Sequence, residues 1–211
     1  MAGKFIVFEG IDGCGKGTQI HLLSKFLFDL SKKNDVIITR EYNLNSEYGR
    51  KLHELVKTET NPLKDPELFS NLFYEDRKYH VEHLINPILK YGGIILSDRY
   101  TLSSLAYQWA QGINLDYLMN KYKGFPTPDL TLLFDVPPET ALSRVEKSTR
   151  GYKTKFEKIE FLRKVRSNYL ELAKKLPEHK VRVVDASKSV EEVHKQIIGI
   201  LKKEKLFEEL I

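Results

Sequence analysis

The segment Phe8-Glu9-Gly10-Ile11-Asp12-Gly13-Cys14-Gly15-Lys16-Gly17-Thr18-Gln19 follows a strand-like apolar run and opens an amphipathic stretch. It holds the spacing Gly-x-x-x-x-Gly-Lys, which is the core of a phosphate-binding P-loop. Glycines let the backbone N–H groups curl toward phosphate oxygens, the helix start adds positive potential, and the lysine reaches the β- and γ-phosphates. The segment therefore predicts a strand–loop–helix unit that binds the phosphates of a nucleotide. The predicted nucleotide-binding residues of the loop are Gly10, Ile11, Asp12, Gly13, Cys14, Gly15, Lys16, Gly17 and Thr18.

The position after the loop lysine departs from the usual P-loop. A hydroxyl residue normally stands there and holds Mg²⁺, but this chain has Gly17, and Thr18 comes one position later. We therefore expect no direct metal ligand from the protein. Mg²⁺ would be held by phosphates and water, with Asp98 orienting a metal-bound water and the neighbouring Arg99.

Five short apolar runs alternate with stretches of helical period along the chain. The predicted strands are 4–9, 36–39, 93–97, 130–135 and 181–184, and the main helical stretches are 19–30, 66–89 and the region from 137. Strands separated by helices imply a parallel sheet covered on both faces. With no linker-like stretch, residues 1–211 are predicted to form one α/β domain, a three-layer P-loop sandwich with a five-stranded parallel sheet.

Composition excludes several classes of protein. The chain has 211 residues, 41% of them hydrophobic and 30% charged, which is ordinary globular usage rather than that of a disordered or collagen-like chain. The single cysteine, Cys14, excludes an internal disulfide framework and a zinc site built from cysteines. No run approaches the roughly 18 apolar residues of a membrane span, and the N-terminus lacks a signal-peptide layout. We therefore expect a cytoplasmic protein that does not bind a membrane.

The positive charge of the chain is concentrated in one segment. The formal net charge is +5, and residues 144–180 alone hold 12 Lys and Arg against 5 Asp and Glu. Such a segment on a nearly neutral body suggests a polyanionic ligand, either a nucleic acid or a nucleotide polyphosphate.

Two arginines follow predicted strands and point to a second phosphate. Arg40 ends the second strand and Arg99 ends the third. Ligands of open parallel sheets bind at the carboxyl ends of strands, and arginine forms bidentate contacts with phosphate. A GTPase is not favoured, because Asn120-Lys121-Tyr122-Lys123 breaks the guanine-reading pattern Asn-Lys-x-Asp at its last position.

At this point the sequence resembles the thymidylate kinase family. The most specific segment is Asp98-Arg99-Tyr100-Thr101-Leu102-Ser103-Ser104-Leu105-Ala106-Tyr107-Gln108, which is similar to that family's D-R-Y-x-x-S-S-x-A-Y-Q signature. Other similar segments, in the family's order, are residues 9–19, 39–41, 72–77, 128–131, 135–139 and 184–186.

The resemblance implies a nucleoside monophosphate kinase that transfers the γ-phosphoryl group of ATP to dTMP, giving dTDP and ADP, with Mg²⁺. It also implies a homodimer and a mobile basic lid over residues 148–157. Lid cations would then join Lys16, Asp98 and Arg99 in catalysis. The implied catalytic lid residues are Arg150, Lys153 and Lys155.

The resemblance assigns the remaining site residues to the acceptor and to the adenine. Asp12 is placed near the acceptor 3′-hydroxyl, with a helix N-cap as the alternative from the residue alone. Phe73 and Arg77, four apart on one helix face, would stack on the pyrimidine and hydrogen-bond its carbonyl. Tyr107 would lie against the sugar, and Arg144 would cover the adenine. The other implied acceptor contacts are Arg40, Arg99, Ser103, Ser104 and Gln108.

Two departures from the family pattern keep other acceptors open. Tyr42 stands where the family usually has proline, and Tyr74 and Glu75 stand where it has small residues. A kinase for dUMP, dGMP or AMP therefore remains an alternative. A more distant one is a P-loop ATPase that binds nucleic acid through the basic segment, although the resemblance implies no nucleic-acid partner.

Overall fold

The computed structural model describes residues 3–32, 35–59, 61, 63–147 and 159–207. These residues form a five-stranded parallel sheet in the order β2-β3-β1-β4-β5. The strands are β1 Lys4–Glu9, β2 Val36–Arg40, β3 Ile94–Asp98, β4 Leu130–Asp135 and β5 Val181–Asp185. The predicted sheet is confirmed, with every strand end within one residue of its expected place.

Helices cover both faces of this sheet. They are α1 Lys16–Leu30, α2 Glu47–Thr58, α3 Pro66–His80, α4 Asn86–Tyr91, α5 Thr101–Ala110, α6 Leu115–Lys121, α7 Pro138–Glu146, α8 Ile159–Lys175 and α9 Val190–Lys203. Successive residues of β1 enter different apolar clusters: Ile6 and Phe8 join the larger one, and Phe5 and Val7 join a smaller one. Because strand side chains alternate between faces, this division confirms the three-layer arrangement. None of the helices described is long and apolar enough to cross a membrane.

The long helical stretch predicted over residues 66–89 is interrupted. A π-helical turn, Val81–Ile85, separates α3 from α4. Pro87 explains the break, because proline has no backbone N–H and its ring clashes with the carbonyl four residues earlier. In this turn the backbone hydrogen bonds span five residues, as in the bond from the Asn86 N–H to the Val81 carbonyl.

The strand order brings the candidate site residues to one edge of the sheet. In the parallel register Phe8 lies beside Asp98, and Asp98 lies beside Arg40. The carboxyl ends of β1, β2 and β3 therefore meet, as the sequence predicts for Arg40 and Arg99. The predicted lid, residues 148–157 with Arg150, Lys153 and Lys155, lies outside the described residues.

Candidate active site

The loop between β1 and α1 depends on its glycines. Gly10, Gly13 and Gly15 have φ values of 137°, 82° and 99°, a backbone region that other residues rarely adopt. At Gly13 a Cβ atom would also lie 2.2 Å from the carbonyl oxygen of Ala141 in α7. Both the dihedral angle and the close approach of α7 therefore require glycine at this position.

Lys16 begins α1, and its side chain folds over the loop. The Nζ atom is buried and donates hydrogen bonds to the carbonyl oxygens of Gly10 and Ile11, each at 3.1 Å. The next residues, Gly17 and Thr18, are exposed in the first turn of α1. A Cβ atom at Gly17 would meet nothing within 4 Å. The fold therefore leaves room for a serine or threonine at this position, although the sequence has glycine.

Arg99 reaches the loop from β3. Its φ of 72° lies in the left-handed region, and its backbone N–H donates to the Phe8 carbonyl at 2.9 Å. Its Nη2 atom donates to Asp12 Oδ1 at 2.9 Å. Asp12 is therefore engaged by Arg99. The alternative reading of Asp12 as the helix N-cap is wrong, because Gly15 occupies that position and no side chain caps α1.

Three hydroxyl groups surround the rest of the Arg99 guanidinium. Nη1 lies 3.0 Å from Ser103 Oγ and 3.2 Å from the Tyr169 hydroxyl, and Nη2 lies 3.3 Å from the Tyr107 hydroxyl. Burial alone would lower the pKa of Arg99, but its interactions with Tyr107, Asp12 and Tyr169 raise that pKa overall. Arg99 is thus a fixed cation at neutral pH. Asp98, expected to orient it, forms no hydrogen bond with the Arg99 side chain within the described ranges.

A buried ion pair holds Arg77 on α3. The Arg77 Nε and Nη2 atoms both donate to Glu41 Oε2, the former at 2.7 Å, and Nη2 also donates to the Tyr100 carbonyl at 3.0 Å. The guanidinium carbon lies 5.2 Å and 4.9 Å from the ring centroids of Tyr100 and Tyr122, within cation–π range. Its Nη1 atom is buried and has no hydrogen bond within the described residues. Two N–H groups of Arg77, both on Nη1, therefore lack a partner among the described residues and suit a ligand.

Other predicted acceptor contacts lie around Arg77. Phe73 is half-buried, and its ring centroid lies 6.4 Å from that of Tyr42. Gln108 is buried, accepts a hydrogen bond from the Tyr122 hydroxyl at 3.4 Å, and has an amide nitrogen with no hydrogen bond in the described part of the chain. The structure thus places the unused donors of Arg77 and Gln108 beside the same residue, Tyr122, and Phe73 lies one helical turn before Arg77 on α3.

The remaining predicted residues divide among different surroundings. Arg40 is exposed at the end of β2, and Asp98 Oδ1 is buried without a hydrogen bond among the described residues. Ser104 is buried on α5. The Ser103 hydroxyl group donates to Glu9, and its contact with the acceptor stays a prediction. Arg144 on α7 donates to the Ala186 carbonyl at 2.9 Å and so joins the loop after β5.

Sequence reasoning missed the residues that hold Arg77 and Arg99. Glu9 and Glu41 lie within the quoted segments 9–19 and 39–41 but have no role there, and His80 and Tyr169 have no predicted role. His80 is fully buried and lies 2.7 Å from Thr39 Oγ1 through Nε2 and 3.4 Å from Glu41 through Nδ1. One signal was available: an acidic residue at the carboxyl end of an apolar strand requires hydrogen-bond donors if it is buried, and Glu9 ends β1 while Glu41 directly follows β2.

A family model described as thymidylate kinase matches residues 8–197 of the chain. A probable thymidylate kinase of Pyrococcus horikoshii is 41% identical over 210 residues, which cover 98% of this chain and 99% of that protein. A thymidylate kinase of Desulfotalea psychrophila is 41% identical over 197 residues, 93% of each chain. The crystal structure of thymidylate kinase from Ehrlichia chaffeensis superposes with a TM-score of 0.75 at 28% identity, covering 95% of this chain and all of that one.

Proposed function

The chain belongs to the thymidylate kinase family, and we propose that it transfers the γ-phosphoryl group of ATP to dTMP, giving dTDP and ADP. One observation carries this proposal. Arg99 at the end of β3 contacts Asp12 inside the loop that begins at β1, at 2.9 Å. A cation suited to an acceptor phosphate thus lies directly beside a loop suited to the donor triphosphate.

In this reaction the phosphoryl group passes directly from ATP to dTMP, and the protein forms no covalent bond with it. An oxygen of the dTMP phosphate attacks the γ-phosphorus of ATP, and the bond from that phosphorus to the β–γ bridging oxygen breaks, leaving ADP. The attacking oxygen is already an anion, so no general base is needed. Catalysis is positioning and charge neutralisation. Lys16 neutralises the donor side, Arg99 holds the acceptor phosphate, and Arg150, Lys153 and Lys155 supply further positive charge from the lid.

The proposed thymine pocket matches hydrogen-bond donors to acceptors. The unused donors of Arg77 and Gln108 are both buried, and a buried donor without a partner is costly. The carbonyl oxygens of a pyrimidine would satisfy them while Phe73 stacks on its face. Tyr107 lies against the sugar and disfavours a 2′-hydroxyl. The other proposed acceptor contacts are Asp12, Arg40 and Ser104.

The donor side uses the P-loop, and Arg144 lies over the adenine. The residues fit Mg²⁺ bound through phosphates and water, because Gly17 supplies no hydroxyl while Asp98 Oδ1 is a buried acceptor without a protein partner among the described residues. When bound there, Mg²⁺ would neutralise charge on the transferring phosphoryl group. Asp98 would orient one of its waters.

The proposed domain organisation, lid, cellular location and oligomeric state rest on the family resemblance. We place residues 1–211 in one catalytic domain with residues 148–157 as its lid, acting as a cytoplasmic homodimer. Sedimentation equilibrium would measure the dimer directly.

ADP release measured with dTMP, dUMP, dGMP and AMP as acceptors tests the proposed function. We expect dTMP to give the highest kcat/KM, and an ATP-only reaction corrects for hydrolysis. Faster turnover with another monophosphate would reject dTMP while keeping the kinase. ADP release that requires single-stranded DNA, and no monophosphate, would instead support the nucleic-acid-binding ATPase.

A further inference from the structure

A buried carboxylate at the end of β1 joins the elements around Arg99. Glu9 is fully buried, and its Oε1 atom accepts hydrogen bonds from the backbone N–H groups of Tyr100 at 2.8 Å and Ser103 at 3.1 Å. Burial raises the pKa of Glu9, although the Ser103 hydroxyl and the Arg99 charge act in the opposite direction. A carboxylate in this position fixes the start of α5 against β1.

Two hydroxyl groups connect Glu9 to Arg99. The oxygens of Ser103 and Tyr169 lie 2.5 Å and 3.0 Å from Glu9 Oε2 and 2.7 Å from each other. The same two oxygens lie 3.0 Å and 3.2 Å from Arg99 Nη1. Each hydroxyl therefore stands between a carboxylate and a guanidinium.

The chemistry of these groups gives the hydrogen bonds one direction. A guanidinium has only donors and a carboxylate has only acceptors. Both hydroxyls must therefore accept from Arg99, and each directs its proton to Glu9 or to the other hydroxyl. These directed hydrogen bonds hold the Nη1 atom of Arg99 beside the two hydroxyl oxygens.

We propose that Tyr169 is a positioning residue for Arg99, with its hydroxyl group holding the guanidinium in line for the acceptor phosphate. The inference rests on the proposed function, which gives Arg99 its task. Tyr169 stands 160 residues from Glu9 in the chain, on α8.

The Tyr169 ring is held independently of its hydroxyl group. The residue is only 2% exposed, and its ring meets that of Tyr107 edge to face at a centroid distance of 6.3 Å. The adjacent Asn168 Nδ2 donates to the Ala106 carbonyl at 2.9 Å and ties α8 to α5. Tyr169→Phe should therefore remove the hydroxyl group and leave the packing in place.

Steady-state kinetics of Tyr169→Phe test the proposal. We expect kcat/KM for the acceptor to fall roughly tenfold, the loss of one hydrogen bond to a charged group, while the KM for ATP stays constant. Thr131→Val is the matched control. It removes a buried hydroxyl that has no hydrogen bond among the described residues, on the second residue of β4, and should leave both parameters unchanged.

A double-mutant cycle with Arg99→Ala distinguishes a loss of Arg99 positioning from a loss of activity that does not involve Arg99. If Tyr169 acts through Arg99, Tyr169→Phe should change the rate by less than about twofold in the Arg99→Ala background. An equal loss in both backgrounds would overturn the inference, as would a Tyr169→Phe enzyme within twofold of the wild type. Should thermal unfolding show that Tyr169→Phe does not fold, Ser103→Ala replaces it under the same criteria.

The cycle uses whichever monophosphate the wild-type enzyme phosphorylates fastest. A preferred acceptor other than dTMP would reject the proposed function and leave the cycle valid. If no monophosphate is phosphorylated, ¹⁵N NMR of the Arg99 guanidinium decides. Tyr169→Phe should speed its internal rotation, and an unchanged rotation would overturn the inference.

Discussion

Replacing Glu41 by glutamine should destabilise the protein strongly, because it leaves the Arg77 guanidinium buried without a counter-charge. The Arg77 side chain is 1% exposed and the Glu41 side chain 3% exposed. Glutamine keeps the shape and one acceptor oxygen, so the substitution removes mainly the charge and the contact with His80. Breaking a buried ion pair from one side costs about 3–5 kcal/mol. For a protein of this size, each kcal/mol shifts Tm by roughly 2–4 °C, so we expect a decrease of roughly 6–20 °C.

The pH dependence of unfolding checks the physical cause. Burial by itself raises the pKa of Glu41, but the Arg77 charge and the His80 hydrogen bond outweigh it and hold that pKa below its usual value of 4.5. A lowered pKa contributes stability above the unfolded-state value, and this contribution is lost as the pH falls through the folded-state value. Urea unfolding should therefore show the full difference between wild type and Glu41→Gln near neutral pH, and a shrinking difference well below pH 4.5.

Asp135→Asn supplies the matched control. Asp135 also forms two hydrogen bonds with one arginine, Arg166, at 2.6 Å and 2.9 Å, but these side chains are 23% and 36% exposed. Water screens such a pair, and we expect its loss to cost no more than about 1 kcal/mol. Equal losses for Glu41→Gln and Asp135→Asn near neutral pH would refute the argument from burial.

Three further predictions concern turnover. Lys16→Met should lower kcat by roughly 10²-fold or more with Tm nearly unchanged, because charge aimed at the transferring phosphoryl is lost; near-normal activity would reject the P-loop assignment. Arg99→Ala should raise the acceptor KM and lower kcat together, whereas a change in the ATP KM alone would show that donor and acceptor sides are interchanged. Replacing the lid cations together by alanine should slow single-turnover transfer on the order of 10³-fold with little change in dTMP affinity, and a change below about threefold would show that the lid is not catalytic. The lid cations are Arg150, Lys153 and Lys155.

The sheet was predictable because each strand is a short apolar run that lies between stretches of helical period. The run at 130–135 has its predicted ends, and the run at 93–97 is shifted by one residue. The break at Val81–Ile85 was not predicted, since hydrophobic periodicity continues through a π-helical turn. Pro87 carried that signal in the sequence, because an interior proline ends or kinks a helix.

The candidate site was predictable where motifs fix local geometry and not where distant side chains meet. The loop from Gly10 to Lys16 has the expected backbone form, because its glycines determine it. Glu9 and Tyr169, in contrast, are 160 residues apart, and no periodicity specifies which buried hydroxyl will reach a given carboxylate. Only the need of a buried carboxylate for donors could be read from the sequence, and not the identity of those donors.

The partners of Arg77 and Arg99 fit the two arginines for different ligands. Arg77 is paired with the buried carboxylate of Glu41, so its charge is largely neutralised, and the Nη1 donors it retains suit an uncharged carbonyl group. Arg99 contacts three neutral hydroxyls, and among the described residues its carboxylate hydrogen bond is with Asp12, whose side chain is 47% exposed and therefore screened by water. Much of the Arg99 charge thus remains for an anion. Because two of these hydroxyls, those of Ser103 and Tyr169, are hydrogen-bonded to Glu9, the guanidinium can be held in place without a direct carboxylate contact on that side, which favours stabilising a phosphate during transfer.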